Sequence, residues 1–244
     1  MTAPAPTAPK RLRVWDLPAR LFHWVLVALV VTSWASTEFA ESLHDATLKY
    51  HRWSRYGVLV LVVWRVLWGF VGPAQSRFSR FVKSPAAALI YARDLISGTT
   101  RRFLGHNPLG GYMVLALLLV LLAQATLGLF VADREELATG PLYKLIDPQL
   151  WKPVRHWHHF IFNRVILPLA ILHIAVNLHY QFVKREPLIT AMVTGDKPAM
   201  AYEDQAFLGP ATSSNAYAML CLALSPALVF GTIWMLGGMS SRPE

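Results

Sequence analysis

The histidines of this 244-residue chain are the side chains whose spacing most clearly suggests chemistry. In the stretch WHHFIFNRVILPLAILH, residues 157–173, His159 and His173 are separated by 14 positions. On a regular α-helix this separation corresponds to about 40° around the axis and about 21 Å along it. The two imidazoles would therefore face the same way from opposite ends of one apolar helix. Ionisable groups at such positions are costly in a membrane and usually functional.

Two further histidines supply partners at matching depths. His23 lies near the start of the first apolar stretch and His51 at the start of the second. Depth pairs His23 with His173 at the inner surface and His51 with His159 at the outer surface. Two facing imidazoles suit a haem, whereas zinc takes three or four ligands. A haem with two axial histidines has no open position and favours electron transfer. We therefore predict two bis-histidine haem sites, and His158 is interpreted as an interfacial or supporting residue.

Several arginines lie at depths where they could neutralise haem propionates. Arg65 follows His51 by 14 residues, so it shares the face of His51 at the inner depth. A buried arginine needs a counter-ion, and a carboxylate pairs well with a guanidinium. Arg20 is a second candidate for the inner haem, and Arg55, one turn after His51, is a candidate for the outer haem. Arg164 points away from the face of His159 and is left without a role.

His106 stands in the stretch LGHNPLGG, just before the third apolar stretch. Asn, Pro and Gly together are typical of a turn that leads into a helix. The histidine is therefore either part of that turn or a polar contact for the inner haem or a quinone.

Composition and periodicity predict the elements that must position these residues. The chain is 55% hydrophobic and 15% charged, and five stretches reach the roughly 20 apolar residues that a membrane span needs. They cover residues 21–36, 51–71, 112–131, 158–181 and 216–238. No stretch shows the alternation of a strand, so we predict an all-α integral membrane protein. The first stretch could also be read as a signal peptide, but no clear cleavage site follows it.

The charge distribution predicts the orientation of these spans. The net charge of +9 could suggest nucleic-acid binding, but Lys and Arg concentrate in alternate loops. Thirteen of them fall on the side of the N-terminus and six on the other side. The positive-inside rule then places the N-terminus in the cytoplasm and the C-terminus in the periplasm. The basic excess is a topology signal with contact to membrane lipid, and no nucleic-acid partner is expected.

The chain resembles the bacterial cytochrome b561 family, which includes the b-type cytochrome subunits of nickel–iron hydrogenases. The matching pieces are RLFHW at 20–24, HRWSRYGVLVLVVWRVLWGFVG at 51–72, GHNP at 105–108 and HHF…LH from 158 to 173. The resemblance implies a four-helix bundle with two b haems in the bacterial inner membrane. It also implies electron exchange between the quinone pool and a periplasmic redox protein such as a c-type cytochrome or hydrogenase. Its haem ligands fall on His23, His51, His159 and His173.

Some expectations extend beyond the resemblance. Residues 1–195 are predicted to form the cytochrome-like domain, and residues 196–244 a cytoplasmic loop and a fifth C-terminal span that could dock a partner or another copy. An electron-transfer subunit is the preferred function, with a stand-alone superoxide:quinone oxidoreductase as an alternative. HWHHF at 156–160 is similar to one histidine box of the non-haem di-iron oxygenases, but those enzymes need several boxes. A purely structural membrane anchor is the third class.

Overall fold

The computed structural model describes residues 11–39, 42, 46–132, 139–207 and 214–238. Its five longest helical stretches are long and apolar enough to cross a membrane. They cover Leu17–Glu38, Lys49–Val71, Pro108–Phe130, Pro148–Val183 and Asn215–Met235. The predictions of a helical, multi-pass membrane protein and of an additional C-terminal span are thus confirmed.

The described helices are, in chain order, α1 (Leu17–Glu38), α2 (Ala46–Val71), α3 (Phe78–Phe81), α4 (Pro85–Ser97), α5 (Pro108–Phe130), α6 (Trp151–Ile161), α7 (Leu167–Leu178), α8 (Leu188–Thr194) and α9 (Asn215–Met235). Short 3-10 helices cover Tyr143–Leu145, Pro148–Leu150 and Gln205–Phe207. Two π-helical turns, Phe162–Ile166 and His179–Val183, continue α6 and α7. The fourth span is therefore one continuous rod with two local changes of pitch.

The helix starts follow from local capping chemistry. The Asn107 side chain accepts a hydrogen bond from the Gly110 N–H at 2.7 Å, and Pro108 occupies the first turn of α5. Asn is favoured at the residue before a helix, and Pro in the first turn lacks only an N–H that has no helical partner. The turn predicted around residues 105–111 is thus confirmed as the entry to the third span.

α2 is the centre of the bundle. It packs against α1 on one side, α5 on another and α9 on a third, and α5 in turn packs against α6. The core contains Val58, Leu59 and Val62 of α2 with Leu121 and Ala125 of α5. α1 and α2 approach closely at Gly57, where a Cβ would lie 2.8 Å from a methyl group of Leu29. Close backbone approach at small residues is the usual basis of helix packing in membranes.

A gap separates the first and fourth spans. Among the described residues, no substantial contact joins α1 to the fourth span, and the most apolar 18 residues of α1 include none that is buried. His23 of α1 and His173 of α7 face each other across this gap. The bundle thus leaves space between helices at the places where the histidines lie.

A small cap with its own buried apolar cluster closes one end of the bundle. Strand β1 (Arg11–Arg13) pairs antiparallel with β2 (Asp196–Pro198), although the sequence predicted no strands. Three-residue strands are too short to show alternation, so periodicity could not detect them. The cap is fixed by the Asp204 carboxylate, which accepts the backbone N–H groups of Leu104 at 2.6 Å and Gly105 at 3.0 Å. β1 and β2 pair across the predicted boundary at residue 195.

The first π-helical turn changes the register of the fourth span. It ends just before Pro168, which lies in the first turn of α7. Proline has no N–H to donate and its ring collides with the carbonyl four residues earlier, so the helix must adjust there. A π turn takes up about one residue more than an α turn. Two residues on opposite sides of this turn therefore have the angular relation around the helix axis that a regular α-helix gives residues one position closer in sequence.

Candidate functional site

The His23 site is formed by α1 and α7. The ring centroids of His23 and His173 lie 6.4 Å apart. The Asn177 side chain, one turn after His173, donates to the His173 carbonyl at 2.7 Å and has its nitrogen 3.4 Å from Nε2 of that ring. The structure thus brings together the two histidines that depth had paired.

The His51 site lies at the other end of the gap. The His51 ring centroid is 6.4 Å from that of His158, which belongs to α6. Nδ1 of His51 lies 3.2 Å from the carbonyl oxygen of Ser33. If that nitrogen carries the proton and donates to the carbonyl, Nε2 keeps its lone pair for a metal. Nε2 of His158 lies 3.2 Å from the side-chain nitrogen of Gln124.

His159 was the predicted partner of His51, and it lies beside this pair. It is more exposed than His158, and its ring centroid is 6.1 Å from the His158 ring. Both residues line the cavity of about 320 Å³ that contains His51. The π turn explains why His158, rather than His159, lies opposite His51. His158 precedes His173 by 15 residues. Because the π turn takes up one extra residue, His158 lies on the helix face where a regular α-helix would place His159. The pairing of His51 with His159 stays a prediction that this geometry does not favour.

The distance between the two imidazole rings of each pair limits the kind of group that could bind between them. An imidazole nitrogen bonds a metal ion at about 2 Å, so two imidazoles on opposite sides of one ion have ring centres about 6 Å apart. Both pairs match this distance. Within the ranges that the structure describes, no three His, Cys, Asp or Glu side chains form a metal-binding group. The donor sets therefore suit an ion whose remaining positions are filled by a prosthetic group such as haem.

Arg55 and Arg65 are buried and Arg20 is half-buried. None of the three forms a salt bridge with a described carboxylate, although the buried Asp16 carboxylate interacts electrostatically with Arg65. Arg65 is 6% exposed and lies over the rings of Phe78 and Phe81. Arg55 is 8% exposed and donates to the Gly128 carbonyl at 2.7 Å. Buried nitrogen atoms on both, and on Arg20, have no hydrogen-bond partner among the described residues. Such donors need an anion, and haem propionates are of the right chemistry.

His106 lies between the cap and the His23 site. Its ring contacts those of Trp15 and Phe81, with centroids 4.8 and 4.7 Å apart, and its buried Nδ1 has no partner among the described residues. It lines a cavity of about 170 Å³ together with Asp204. Burial lowers the pKa of His106 to about 3, and the charges of Arg65 and Lys197 act in the same direction. A neutral imidazole in a polar cavity can donate or accept a hydrogen bond.

Sequence reasoning missed the polar residues that contact the paired histidines. Gln124 is the one amide side chain of the strongly apolar span α5, and Asn177 stands one helical turn after His173. Isolated polar residues in such helices usually pair with something, so these two could have been singled out. Ser33 carried no comparable signal, because a serine in a helix commonly bonds its own backbone.

Five apolar helices, paired imidazoles and buried arginines without a salt bridge among the described residues are features expected of a membrane electron-transfer cytochrome. The profile of the prokaryotic cytochrome b561 family matches residues 14–195. The chain therefore belongs to the prokaryotic cytochrome b561 family, and the family implies that it binds haem b.

Curated relatives agree with this assignment at low identity. A probable Ni/Fe-hydrogenase B-type cytochrome subunit of Rhizobium leguminosarum bv. viciae is 24% identical over 78% of this chain and 90% of its own length. Its counterpart in Azotobacter vinelandii is 24% identical over 75% and 86%, and the one in Cupriavidus necator is 22% identical over 76% and 86%. No solved structure matches the chain significantly.

Proposed function

We propose that the chain is a diheme b-type cytochrome that carries electrons across the bacterial inner membrane. His23 and His173 hold one haem, and His51 and His158 hold the other. The observation that carries the proposal is that two imidazole pairs, each 6.4 Å apart, lie at opposite ends of one gap between helices. In this assignment His158 takes the place predicted for His159.

The protein residues have three tasks in this mechanism. A bound haem with two histidine ligands supplies a one-electron carrier without an open coordination position. The hydrogen bond to the Ser33 carbonyl would orient the His51 imidazole, and Arg55 and Arg65 would supply positive charge that favours the added electron. The apolar spans exclude water from the path. His158 and His173 lie about 22 Å apart along their helix, so the two sites together bridge most of the hydrocarbon core.

We place the His23 site on the cytoplasmic side, because the loops at that end carry thirteen of the Lys and Arg residues outside the spans. The polar cavity at His106 supports quinone exchange there, since a neutral imidazole can hydrogen-bond a quinone oxygen. The His51 site would then meet a periplasmic redox partner. Hydrogenase is the first candidate because the relatives are named as hydrogenase subunits.

Haem quantitation and vectorial electron transfer test the proposal. Purified protein should contain two haem b per chain by pyridine haemochrome, and the His51→Ala/His158→Ala double variant should contain one. In liposomes, a quinol should reduce an acceptor on the opposite side of the membrane, and the double variant should lose this reaction. A wild-type preparation with one haem or none would refute the diheme assignment. Superoxide-dependent quinone reduction without a protein partner would favour the stand-alone oxidoreductase instead.

A further inference from the structure

Arg164 is a charged residue inside the fourth span for which neither histidine site provides a role. It lies in the first π turn, six residues after His158 and nine before His173. At 1.5 Å per residue it is about 9 Å from one histidine level and about 14 Å from the other. Its side chain is exposed, among exposed apolar neighbours that include Phe160, Leu167 and Ile171. A guanidinium thus lies on the exposed surface of the bundle near mid-depth, outside the lining of the His51 cavity.

The described part of the chain supplies no counter-ion for this charge. Among the described residues, Arg164 has no hydrogen bond or ion pair. The cavity of the His51 site is lined by Phe162, Asn163 and Ile166 but not by Arg164, so a propionate in that cavity would not reach it from the same face. Charged side chains within spans otherwise pair with one another or line a polar interior, because lipid does not solvate them.

The spans of a second copy of the chain would not supply a counter-ion for Arg164 either. The sequences of the five spans contain one acidic residue, Glu38. It lies at the end of α1 and borders the cavity of the His51 site. A two-fold contact between copies would therefore bring Arg164 to apolar side chains or to another arginine, and like charges repel. Charge complementarity therefore points to a carboxylate from a different protein.

We propose that the exposed face of the fourth span around Arg164 docks a transmembrane helix of a partner subunit that carries Asp or Glu near mid-depth. The ion pair neutralises both charges at a depth where either charge without a partner would be costly. The neighbouring apolar residues supply the packing surface on both sides of the pair. This interface is separate from the haem ligands and does not rest on the proposed electron-transfer function.

A designed peptide tests this surface with the full chain in nanodiscs. The peptide is a 23-residue Leu/Ala helix with one central residue, Glu, Gln or Leu, and a photoreactive leucine one turn away. Cross-linking is followed as a function of the peptide-to-protein ratio, and the sites are mapped by mass spectrometry. The Glu peptide should half-saturate wild-type protein at a ratio about tenfold lower than the Leu peptide, with cross-links at residues 160–171.

Arg164→Leu should abolish the preference for the Glu peptide without changing haem content. Arg93→Leu is the matched control, because Arg93 is an exposed arginine on α4 outside the spans, and it should keep the preference. Equal binding of the Glu and Leu peptides to wild-type protein would overturn the proposal and show that Arg164 reaches the membrane surface instead. A homodimer that Arg164→Leu dissociates would also overturn it, because a second copy would then be the occupant.

Discussion

The two histidine sites have the same ring separation but different surroundings. At the His23 site the histidines come from the first and fourth spans, and a folded cap containing β1, β2 and His106 covers that end. At the His51 site they come from the second and fourth spans, beside a larger cavity of about 320 Å³. Equal spacing indicates that the two pairs suit the same kind of group, whereas among the described residues the cap with His106 covers the His23 end.

The largest expected effect separates the two sites directly. His23→Ala and His51→Ala should each remove one haem from a protein that keeps the other, because each substitution removes an axial ligand of one site. Haem stoichiometry and low-temperature difference spectra should show the loss of one α-band component in each variant. If either substitution removed both haems, the sites would not be independent.

A second pair of variants sharpens the His51 site. His158→Ala should lower haem content by half, whereas His159→Ala should leave two haems per chain, because the separation of the His158 and His51 rings matches that of His23 and His173. Pyridine-haemochrome assays on both variants decide between them. The reverse result would restore His159 as the ligand and show that the π turn does not set the register.

The cap that distinguishes the His23 site should show its own pH dependence. Burial lowers the pKa of Lys197 to about 8 from 10.5, although Glu186 and Asp204 raise it, and its ammonium donates to the Phe103 carbonyl at 2.9 Å. Between pH 8 and 10.5 the unfolded state binds more protons than the folded state, so stability should rise with pH by up to about 1.4 kcal/mol per unit. Lys197→Met should flatten this slope.

The measurement is hydrogen-exchange protection of the β1–β2 pair, corrected for the intrinsic pH dependence of exchange. Protection that falls through this window in the wild-type protein would contradict the burial of a charged Lys197. Residues around His51 serve as the internal reference, because Lys197 lies in the cap at the other end of the bundle.

The smallest expected effect concerns the haem potentials. Arg65→Leu should lower the potential of the His23-site haem by roughly tens of mV, because removing a positive charge disfavours the added electron. Arg55→Leu should do the same for the other haem. Spectroelectrochemical titration of the two components checks this, and a shift of both haems by one substitution would show that the charges are not local to their sites.

The sequence alone predicted the class of fold and named three of the four paired histidines. Long apolar stretches with few charges can satisfy their backbone in lipid only as helices, so the five spans followed from composition. His23, His51 and His173 followed from depth, because the rise of a helix converts residue number into position across the membrane. The arginines followed from the need of a buried cation for an anion.

Only the tertiary structure decided the remaining contacts. The register of the fourth span depends on a π turn that Pro168 alone does not prescribe, and the neighbour of His51 changes from His159 to His158 with it. The β1–β2 pair joins residues 11–13 to residues 196–198, and such short strands form through distant partners rather than local propensity. Sequence periodicity predicts which residues share a helix face only to within about one residue. Two side chains that bind one group must have their atoms placed within ångströms, and the packing between helices supplies that precision.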